Sequence, residues 1–365
     1  MIETHVVNAL LLPALRQGPF FKVVNFINGL VAPTFLFCAG FAFAITLDRN
    51  WDDVLRLGKT FWRYTMRMGF ILAVGYMLHL PHFSFRRLVA LEDPGAWTPF
   101  FQSDILHVIA LTLLFLLISA AIARRRPVLT ALALASGLGC IFAAPLVRAG
   151  DYSAFPVFLR PYLSGEYMSQ FPLFPWSAFL LGGAVTGFLF LPMRSAHREG
   201  LFMLRLSVLA TSAIAGAILI AVLPFRLYPA DDFWGPSPWF FIVRSGLVML
   251  LLALLWRLDG PRPDPPRPPV VVRSPVTLFG RESLVVYVVH LLIVYGYMLR
   301  WSFVREFSQT LDFTECFALA AALGAAMYLL AFVWHALKTR DMILAAYVRY
   351  GLYGGTVLLF LLKDN

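Results

Sequence analysis

Three histidines lie inside long apolar stretches of this chain, and their side chains are the strongest candidates for chemistry. They are His5, His107 and His290. An ionisable group among membrane helices is costly and marks a functional site by default. A neutral imidazole can act as a general base or as a nucleophile near pH 7. The competing interpretation is structural, because a histidine between helices often serves only as a hydrogen-bond partner.

Polar side chains accompany each histidine at the spacing of three or four residues that puts side chains on one helix face. Asn8 follows His5 and Asp104 precedes His107. A stripe around the third histidine consists of Ser283, Tyr287, His290 and Tyr297. Other polar groups in apolar stretches are Asn25, Asn28, Arg244, Arg281 and Glu282. The adjacent Arg281 and Glu282 are expected to form an ion pair or to anchor the helix at the interface.

Metal and disulfide sites are not indicated. The three histidines show no HxxH or HExxH spacing, and the carboxylates between them are few. Cys38, Cys140 and Cys316 each fall in an apolar stretch, and none has a CxxC partner. Neither a zinc site nor a disulfide framework is therefore expected.

The composition indicates that membrane helices carry these residues. Of the 365 residues, 60% are apolar and 14% are charged, and the mean hydropathy is +0.75. A soluble globular protein has about 45–50% apolar and about 25% charged residues. We therefore predict an all-α, polytopic membrane fold in a single domain over residues 1–365.

Apolar runs set the expected number of helices, since a membrane span takes about 20 residues. They lie at 1–15, 23–47, 61–80, 102–123, 128–147, 171–192, 204–224, 238–257, 276–298 and 315–337. Ten spans are predicted. An eleventh run at 342–362 either spans or lies in the interface, because it holds Arg349 and three glycines. The first run is short, so we expect a start codon assigned too late, with in-frame upstream codons that complete the helix.

Helical rise puts two of the histidines at one depth. His5 lies eleven residues before Arg16, and His290 lies ten residues before Arg300. At about 1.5 Å per residue, these separations are about 16 Å and about 15 Å. We therefore expect a central site with His5 and His290 on its two sides.

The basic residues indicate topology rather than a nucleic-acid ligand. The formal net charge is +10, but Lys and Arg concentrate in alternate connections. The rich connections carry Arg49, Arg56, Lys59, Arg63 and Arg67; Arg124, Arg125 and Arg126; Arg194, Arg198 and Arg205; Arg257, Arg262, Arg267 and Arg273; and Lys338 and Arg340. By the positive-inside rule, these connections and the amino terminus are cytoplasmic. The Pro-rich stretch 258–274, with PRPDPPRPP at 261–269, is expected to be a semi-rigid cytoplasmic linker.

Five segments carry a family resemblance. They are MIETHVVNALL at the start, Gly29-x-x-x-Pro33-x-Phe35-Leu36-Phe37-x-x-Gly40, Asp104-Ile105-Leu106-His107, FPLFPW at 171–176, and GRESLVVYVVH at 280–290. In order, spacing and topology, the chain resembles the transmembrane acyltransferase superfamily over essentially its whole length. The most similar branch is the bacterial, DUF1624-type relatives of heparan-alpha-glucosaminide N-acetyltransferase. The resemblance implies transfer of an acyl group, usually acetyl, from acyl-CoA to a hydroxyl or amine of a sugar, and His5 matches the family's histidine.

Roles for further residues follow from what acyl transfer needs. A histidine would deprotonate the acceptor or carry the acyl group, and an asparagine amide would stabilise the oxyanion by about 3–4 kcal/mol. Arginines would hold the CoA phosphates. The candidate catalytic residues are His5, Asn8, Asn28 and His290. The candidate CoA-binding residues are Arg63, Arg67, Arg273 and Arg281. Acyl-CoA, most simply acetyl-CoA, is thus the expected co-substrate, and no metal is expected.

These observations together predict a membrane-embedded acyltransferase that acts on a carbohydrate or cell-envelope glycan. The expected location is a bacterial inner membrane. The expected partners are membrane lipid and a glycan, and no nucleic acid. The sequence does not decide whether the protein forms a homodimer. One alternative is a transporter or permease for a small polar solute. That class would show pseudo-repeats and paired broken helices, which we do not find in the sequence. Another alternative is a non-catalytic membrane subunit of an envelope complex.

Overall fold

The computed structural model describes residues 1–165, 169–223, 228, 237–259, 274–298 and 301–363. Its α-helices, numbered along the chain, are α1 (Ile2–Leu10), α2 (Pro19–Asn28), α3 (Val31–Arg49), α4 (Trp51–Leu55), α5 (Lys59–Leu78), α6 (Phe85–Val89), α7 (Ile105–Ala123), α8 (Arg126–Arg148), α9 (Arg160–Leu163), α10 (Leu173–Ser195), α11 (Glu199–Val222), α12 (Pro238–Asp259), α13 (Pro275–Arg281), α14 (Ser283–Tyr295), α15 (Phe303–Phe307), α16 (Phe313–Arg340) and α17 (Met342–Leu362). Two 3₁₀ helices lie at Pro13–Gln17 and Pro94–Phe101. Across the described ranges no strand forms, apart from an isolated bridge between Leu11 and Leu311. The prediction of an all-α fold is confirmed.

Several of these helices are suited to a membrane. Eight helical segments among the described residues are long and apolar enough to cross a bilayer. They are Pro19–Arg49, Ile105–Ala123, Arg126–Arg148, Leu173–Ser195, Glu199–Val222, Pro238–Asp259, Phe313–Arg340 and Met342–Leu362. The bent pair α13 and α14 adds a ninth if it counts as one span. A polytopic membrane fold is therefore confirmed, with a count near the ten predicted.

The first apolar run does not form one continuous helix. Helix α1 is nine residues long, and the 3₁₀ helix after it begins at Pro13, which has no N–H to continue the α-helical ladder. The separation of about 16 Å between His5 and Arg16 assumed an unbroken helix and is wrong. Instead, the Arg16 guanidinium turns back and donates to the carbonyl oxygens of Asn8 and Leu11, each at 3.0 Å.

Two other runs differ in how well they suit the membrane. Helix α5 covers the run 61–80 as far as Leu78, but Lys59, Arg63 and Arg67 in its first half lower its mean hydropathy, and it is not among the candidate spans. Helix α17 covers the run 342–362 and meets the length and composition of a span.

The run 276–298 is broken rather than continuous. Helices α13 and α14 meet at Glu282, where their axes differ by 87°. Helix α14 ends at Tyr295 because Gly296 adopts the left-handed conformation that closes a helix, with a φ of 73°. Tyr297 therefore lies beyond the helix, and the predicted polar stripe loses its last member.

The helices pack into two compact units. The first comprises Met1–Asn28, Leu80–Trp97 and Asp264–Asn365, and the second comprises Gly29–His79 and Thr98–Pro263. In the first unit, α1 packs against α14 and α16. Val6, Val7 and Leu10 of α1 are fully buried there, in one apolar cluster with residues of both helices. The single domain over residues 1–365 stays a prediction.

In the second unit, α3 and α10 meet at two glycines. A Cβ atom at Gly40 would lie 1.9 Å from the carbonyl oxygen of Leu180, and one at Gly183 would lie 2.0 Å from that of Phe37. No side chain fits at such distances, so the two helix backbones are in direct contact. Small residues permit this close approach between membrane helices.

The structure does not test two of the sequence predictions, the Pro-rich linker and the orientation in the membrane. Of the predicted linker 258–274, residues 260–273 lie outside the described residues, and Arg273 is one of them. The orientation with a cytoplasmic amino terminus stays a prediction.

Candidate active site

His5 and His290 face each other in the first unit. Their ring centroids are 5.2 Å apart, and the ring planes are inclined by 51°. His5 comes from α1 and is partly exposed, whereas His290 comes from α14 and is 1% exposed. Tyr287, one turn earlier on α14, meets the His290 ring edge to face at 5.7 Å. The structure thus brings together the two histidines that the sequence puts on two sides of one site.

The protonation pattern of His290 follows from one hydrogen bond. Its Nδ1 lies 2.7 Å from the carbonyl oxygen of Val286. Because a carbonyl oxygen only accepts, Nδ1 carries the hydrogen and Nε2 of the neutral ring carries the lone pair. That Nε2 is buried and has no hydrogen-bond partner among the described residues. Such an unpaired atom costs about 1–3 kcal/mol, so its presence calls for a functional explanation.

Tyr295 contacts the ring of His5. Its hydroxyl oxygen lies 3.2 Å from Nδ1 of His5, and the two rings meet edge to face with centroids 5.8 Å apart. Tyr297 packs on the ring of Tyr295 at 5.6 Å. A phenol hydroxyl both donates and accepts, so this contact orients His5 in either neutral tautomer.

Backbone pairing fixes the position of α1 in this unit. The N–H of Leu12 donates to the carbonyl oxygen of Leu311 at 2.9 Å, and the N–H of Leu311 donates to that of Leu10 at 3.1 Å. The next residue, Asp312, caps α16 and forms a capping box with Glu315. The chain that leaves α1 is therefore tied to the start of α16, and this constrains the rotation of α1 that presents His5.

The two candidate asparagines have different surroundings. Asn28 is buried, and its Nδ2 donates to Oε1 of Glu3 at 3.2 Å. Glu3 is two residues from His5 on α1, so the two side chains point to different faces of the helix. Asn8 shares the face of His5, but its side chain is exposed. The oxyanion role of both asparagines stays a prediction.

The candidate CoA-binding arginines are surface residues. Arg63 and Arg67 are exposed on α5, four residues apart and hence on one face. Nη2 of Arg63 donates to Oγ1 of Thr60 at 3.2 Å. Arg281 is exposed at the end of α13, and Arg273 lies outside the described residues. Binding of CoA by these residues stays a prediction.

Glu282, at the bend between α13 and α14, finds its partners on α16. Its Oε1 lies 2.9 Å from Nδ1 of His335, and its Oε2 lies 2.6 Å from Nζ of Lys338. Both carboxylate oxygens are therefore used by α16, which corrects the expectation of an ion pair with the adjacent Arg281. A carboxylate that is 4% exposed needs such partners, and they tie the bend to a long helix.

His107, the third candidate histidine, lies in the second unit and is fully buried. There it forms a polar cluster with Asp104 at the start of α7 and with Tyr76 of α5. Within the described part of the chain, no group of three His, Cys, Asp or Glu side chains could hold a metal ion.

Sequence reasoning missed Tyr295 and Glu3 as neighbours of the candidate residues. Tyr295 lies five residues from His290, a spacing that does not share a helix face, so periodicity gives no link between them. Only the packing of α1 against α14 brings the hydroxyl of Tyr295 to His5. Gly296 was a usable signal for the helix end, because glycine commonly closes a helix.

One family model matches the chain. The model described as "Heparan-alpha-glucosaminide N-acetyltransferase, catalytic" matches residues 1–216, which are more than half of the 365 residues. The matched range includes His5, Asn8 and Asn28 and ends before His290 and Tyr295. No curated protein and no solved structure matches the chain. The resemblance to the heparan-alpha-glucosaminide N-acetyltransferase family is therefore confirmed, while the segment at 280–290 lies outside the matched range.

Proposed function

We propose that this protein is a membrane-embedded acyltransferase, because the chain belongs to the heparan-alpha-glucosaminide N-acetyltransferase catalytic family. The donor is acyl-CoA, most simply acetyl-CoA, and the acceptor is a hydroxyl or amine of a carbohydrate or cell-envelope glycan. The contact between the rings of His5 and His290 is the observation that supports these two residues as the site of the reaction. It combines two imidazoles with a buried Nε2 that lacks a partner among the described residues.

In the proposed reaction, His290 acts as the general base. Its Nε2 takes the proton of the acceptor O–H or N–H while the acceptor atom forms a bond to the thioester carbonyl carbon. The C–S bond then breaks, and the CoA thiolate leaves with the electron pair and takes the proton from Nε2. Throughout, Nδ1–H stays bonded to the carbonyl oxygen of Val286. A positioned base of this kind contributes about 10²–10⁴-fold to the rate.

His5 supplies the second nitrogen of the proposed site. When the hydroxyl of Tyr295 donates to Nδ1 of His5, Nε2 of His5 carries a hydrogen and donates to the oxyanion that forms on the thioester carbonyl. Such a donor is worth about 3–4 kcal/mol. The alternative is that His5 itself carries the acyl group. Rapid quenching with radiolabelled acetyl-CoA and no acceptor would then trap a labelled protein that His5→Ala does not give.

Exposed arginines support binding of CoA at the cytoplasmic face. Arg63 and Arg67 form a cationic face on α5, and a guanidinium binds phosphate through two parallel hydrogen bonds. Arg273 and Arg281 are the further candidates. Replacing Arg63 and Arg67 together by alanine is expected to raise the KM for acyl-CoA about tenfold, with kcat near wild type. An unchanged KM, equal to that of the exposed control Arg198→Ala, would remove the pair from the CoA site.

The proposed function is tested with the purified protein in detergent micelles. We expect CoA release from acetyl-CoA in the presence of glucosamine, and an acetylated sugar detectable by mass spectrometry. Heat-inactivated protein gives the background rate. Absence of turnover from folded protein, with acetyl-CoA and longer acyl-CoA donors and with both amino sugars and neutral sugars, would overturn the proposal.

A further inference from the structure

A second cluster of polar side chains is buried in the second unit. It consists of Asp104 and His107 at the start of α7, Tyr76 near the end of α5, and Tyr162 of α9, and it lies against Gly75 of α5. His107 is 0% exposed and Asp104 is 4% exposed. None of these residues has a part in the reaction proposed above, so the cluster needs an explanation of its own.

Helix capping explains part of this cluster. Asp104 is the N-cap of α7, and its Oδ1 accepts from the backbone N–H of Leu106 at 2.6 Å and of His107 at 3.4 Å. The N–H of Asp104 lies 3.3 Å from Nδ1 of His107 and completes a capping box. A glutamine or glutamate at the third helical position serves such a box equally well. Capping therefore explains the use of Nδ1 but not the choice of histidine.

The other ring nitrogen of His107 is the unexplained atom. Nε2 is buried and has no hydrogen-bond partner among the described residues. The ring lies directly against α5, where a Cβ atom at Gly75 would be 2.8 Å from its Cε1, and the ring of Tyr76 meets it edge to face at 4.4 Å. A buried polar atom left unpaired in this way calls for a ligand or a catalytic role.

Asp104 and His107 have the geometry of an acid–base dyad. Oδ1 of Asp104 lies 3.2 Å from Nδ1 of His107. Nδ1 either accepts the N–H of Asp104, which leaves the hydrogen on Nε2, or carries the hydrogen itself and donates it to the carboxylate. In the second state, which the acid–base role requires, Nε2 carries the lone pair. When Nε2 takes a proton, the imidazolium lies beside a carboxylate that stabilises it. The carboxylate keeps its backbone bonds to the helix in both states.

Two phenols and one further imidazole face this dyad. The hydroxyls of Tyr76 and Tyr162 are 2.6 Å apart, and the ring of Tyr162 lies 6.1 Å from that of His107. Burial, together with the bond to Tyr76, raises the pKa of Tyr162 far above its usual value, so its hydroxyl stays protonated and can donate. The ring of His79 lies 6.2 Å from that of His107, and its Nδ1 donates to the carbonyl oxygen of Gly75 at 2.9 Å.

We infer that Asp104 and His107 form a second acid–base site, which takes the proton of a hydroxyl group on a bound ligand. The ligand is water or a carbohydrate alcohol group other than the acceptor group whose proton goes to His290. In this step the O–H bond breaks, the proton goes to Nε2 of His107, and the electron pair stays on the oxygen, which becomes the nucleophile toward an acyl carbon. The thiolate that leaves that carbon takes the proton back. The fate of the oxygen rests on the proposed function, whereas proton binding at His107 does not.

Two conservative variants separate this role from capping. Asparagine caps helices as well as aspartate does, so Asp104→Asn keeps the helix start and removes the charge. Glutamine is the natural partner in a capping box, so His107→Gln keeps the reciprocal bond and removes the base. Both variants are expected to keep wild-type thermal stability, and a purely structural role predicts wild-type activity as well.

The activity test has two arms. CoA release is measured for wild type, Asp104→Asn and His107→Gln, without acceptor and with glucose, which offers only hydroxyl groups. We expect a loss of about 10²-fold in His107→Gln. A loss already present without acceptor identifies water as the ligand, and a loss confined to the glucose arm identifies the sugar alcohol. Wild-type rates for both variants in both arms would overturn the inference.

A second readout needs no turnover. In ¹⁵N-histidine-labelled protein in micelles, with the signal assigned through the backbone of residue 107, we expect the hydrogen on Nδ1 and an unprotonated Nε2. Asp104→Asn should shift the ring toward the Nε2–H tautomer. An Nε2–H tautomer already present in the wild type, as the capping bond alone would require, would overturn the inference. If the wild type transfers no acyl group, the proposed function fails, and this readout still decides the proton site.

Discussion

At the scale of single residues, the two rings of the proposed site are held in different ways. The tautomer of His290 is set by a backbone carbonyl oxygen, which no side-chain replacement removes. The ring of His5 contacts a side-chain hydroxyl, that of Tyr295. The tautomer of His290 is therefore robust to side-chain substitution nearby, whereas the contact of His5 with Tyr295 can be removed by one substitution.

Replacing Tyr295 by phenylalanine tests this difference. The variant keeps the ring packing and loses the hydroxyl that orients His5. Since one hydrogen bond is worth about 1–1.5 kcal/mol, we expect kcat to fall about five- to tenfold, with the KM for acyl-CoA near wild type. Tyr328→Phe removes a hydroxyl from α16 in the same unit and serves as the control. Equal kcat values for the two variants would remove Tyr295 from the site.

The two asparagines should respond differently to truncation. Asn28→Ala leaves the carboxylate of Glu3 without its amide donor, and we expect the free energy of unfolding to fall by about 1–3 kcal/mol, with a lower kcat. Asn8→Ala removes an exposed side chain and should change stability by less than about 0.5 kcal/mol. Thermal unfolding and CoA release measure both. A kcat that falls only in Asn8→Ala would make Asn8, and not Asn28, the amide that assists His5 at the oxyanion.

At the scale of elements, two helices pack closely only where a glycine lies at their contact. The amino-acid composition does not show which glycines lie there. Gly182 and Gly183 are adjacent on α10, yet a Cβ atom at Gly183 would strike the backbone of α3, whereas one at Gly182 meets nothing within 4 Å. Glycine is required only where the helix face that carries it packs against the backbone of another helix.

This pair of glycines gives a matched stability test. Gly183→Ala is expected to destabilise the protein by about 1–3 kcal/mol or more, because backbone atoms of α3 must move. Gly182→Ala should be neutral or slightly stabilising, since alanine favours a helix. Thermal unfolding of the two variants in the same detergent measures the difference. Equal melting temperatures would show that α3 and α10 are not in backbone contact.

The helices themselves could be predicted because apolar runs and their ends are local properties of the sequence. The run at 128–147, for example, forms Arg126–Arg148. The break at Glu282 was not predicted, since its stabilising partners lie more than fifty residues away, on α16. The pairing of His5 with His290 was predicted from equal depths, although one depth assumed a continuous helix that the structure does not have. The contact with Tyr295 is purely tertiary, and no sequence period signals it.

At the scale of the whole molecule, the alternation of basic connections predicts which face is cytoplasmic. In a variant without native cysteines, Arg56→Cys should be protected from a membrane-impermeant maleimide in whole cells, and Ser153→Cys should be labelled. Both positions are exposed in the structure, so accessibility depends on the membrane alone. Labelling of Arg56→Cys with protection of Ser153→Cys would invert the predicted topology and put the arginines proposed to bind CoA on the side away from the cytoplasm.

The central claim is that acyl transfer takes place at the paired histidines. The most direct measurement is CoA release from acetyl-CoA, with a carbohydrate acceptor, by purified wild type, His5→Ala, His290→Ala and the control His82→Ala, a histidine of the same unit outside the pair. We predict that wild type and His82→Ala release CoA, and that both other variants lose at least about 10²-fold in kcat while they remain folded. Wild-type rates in folded His5→Ala and His290→Ala would contradict the account.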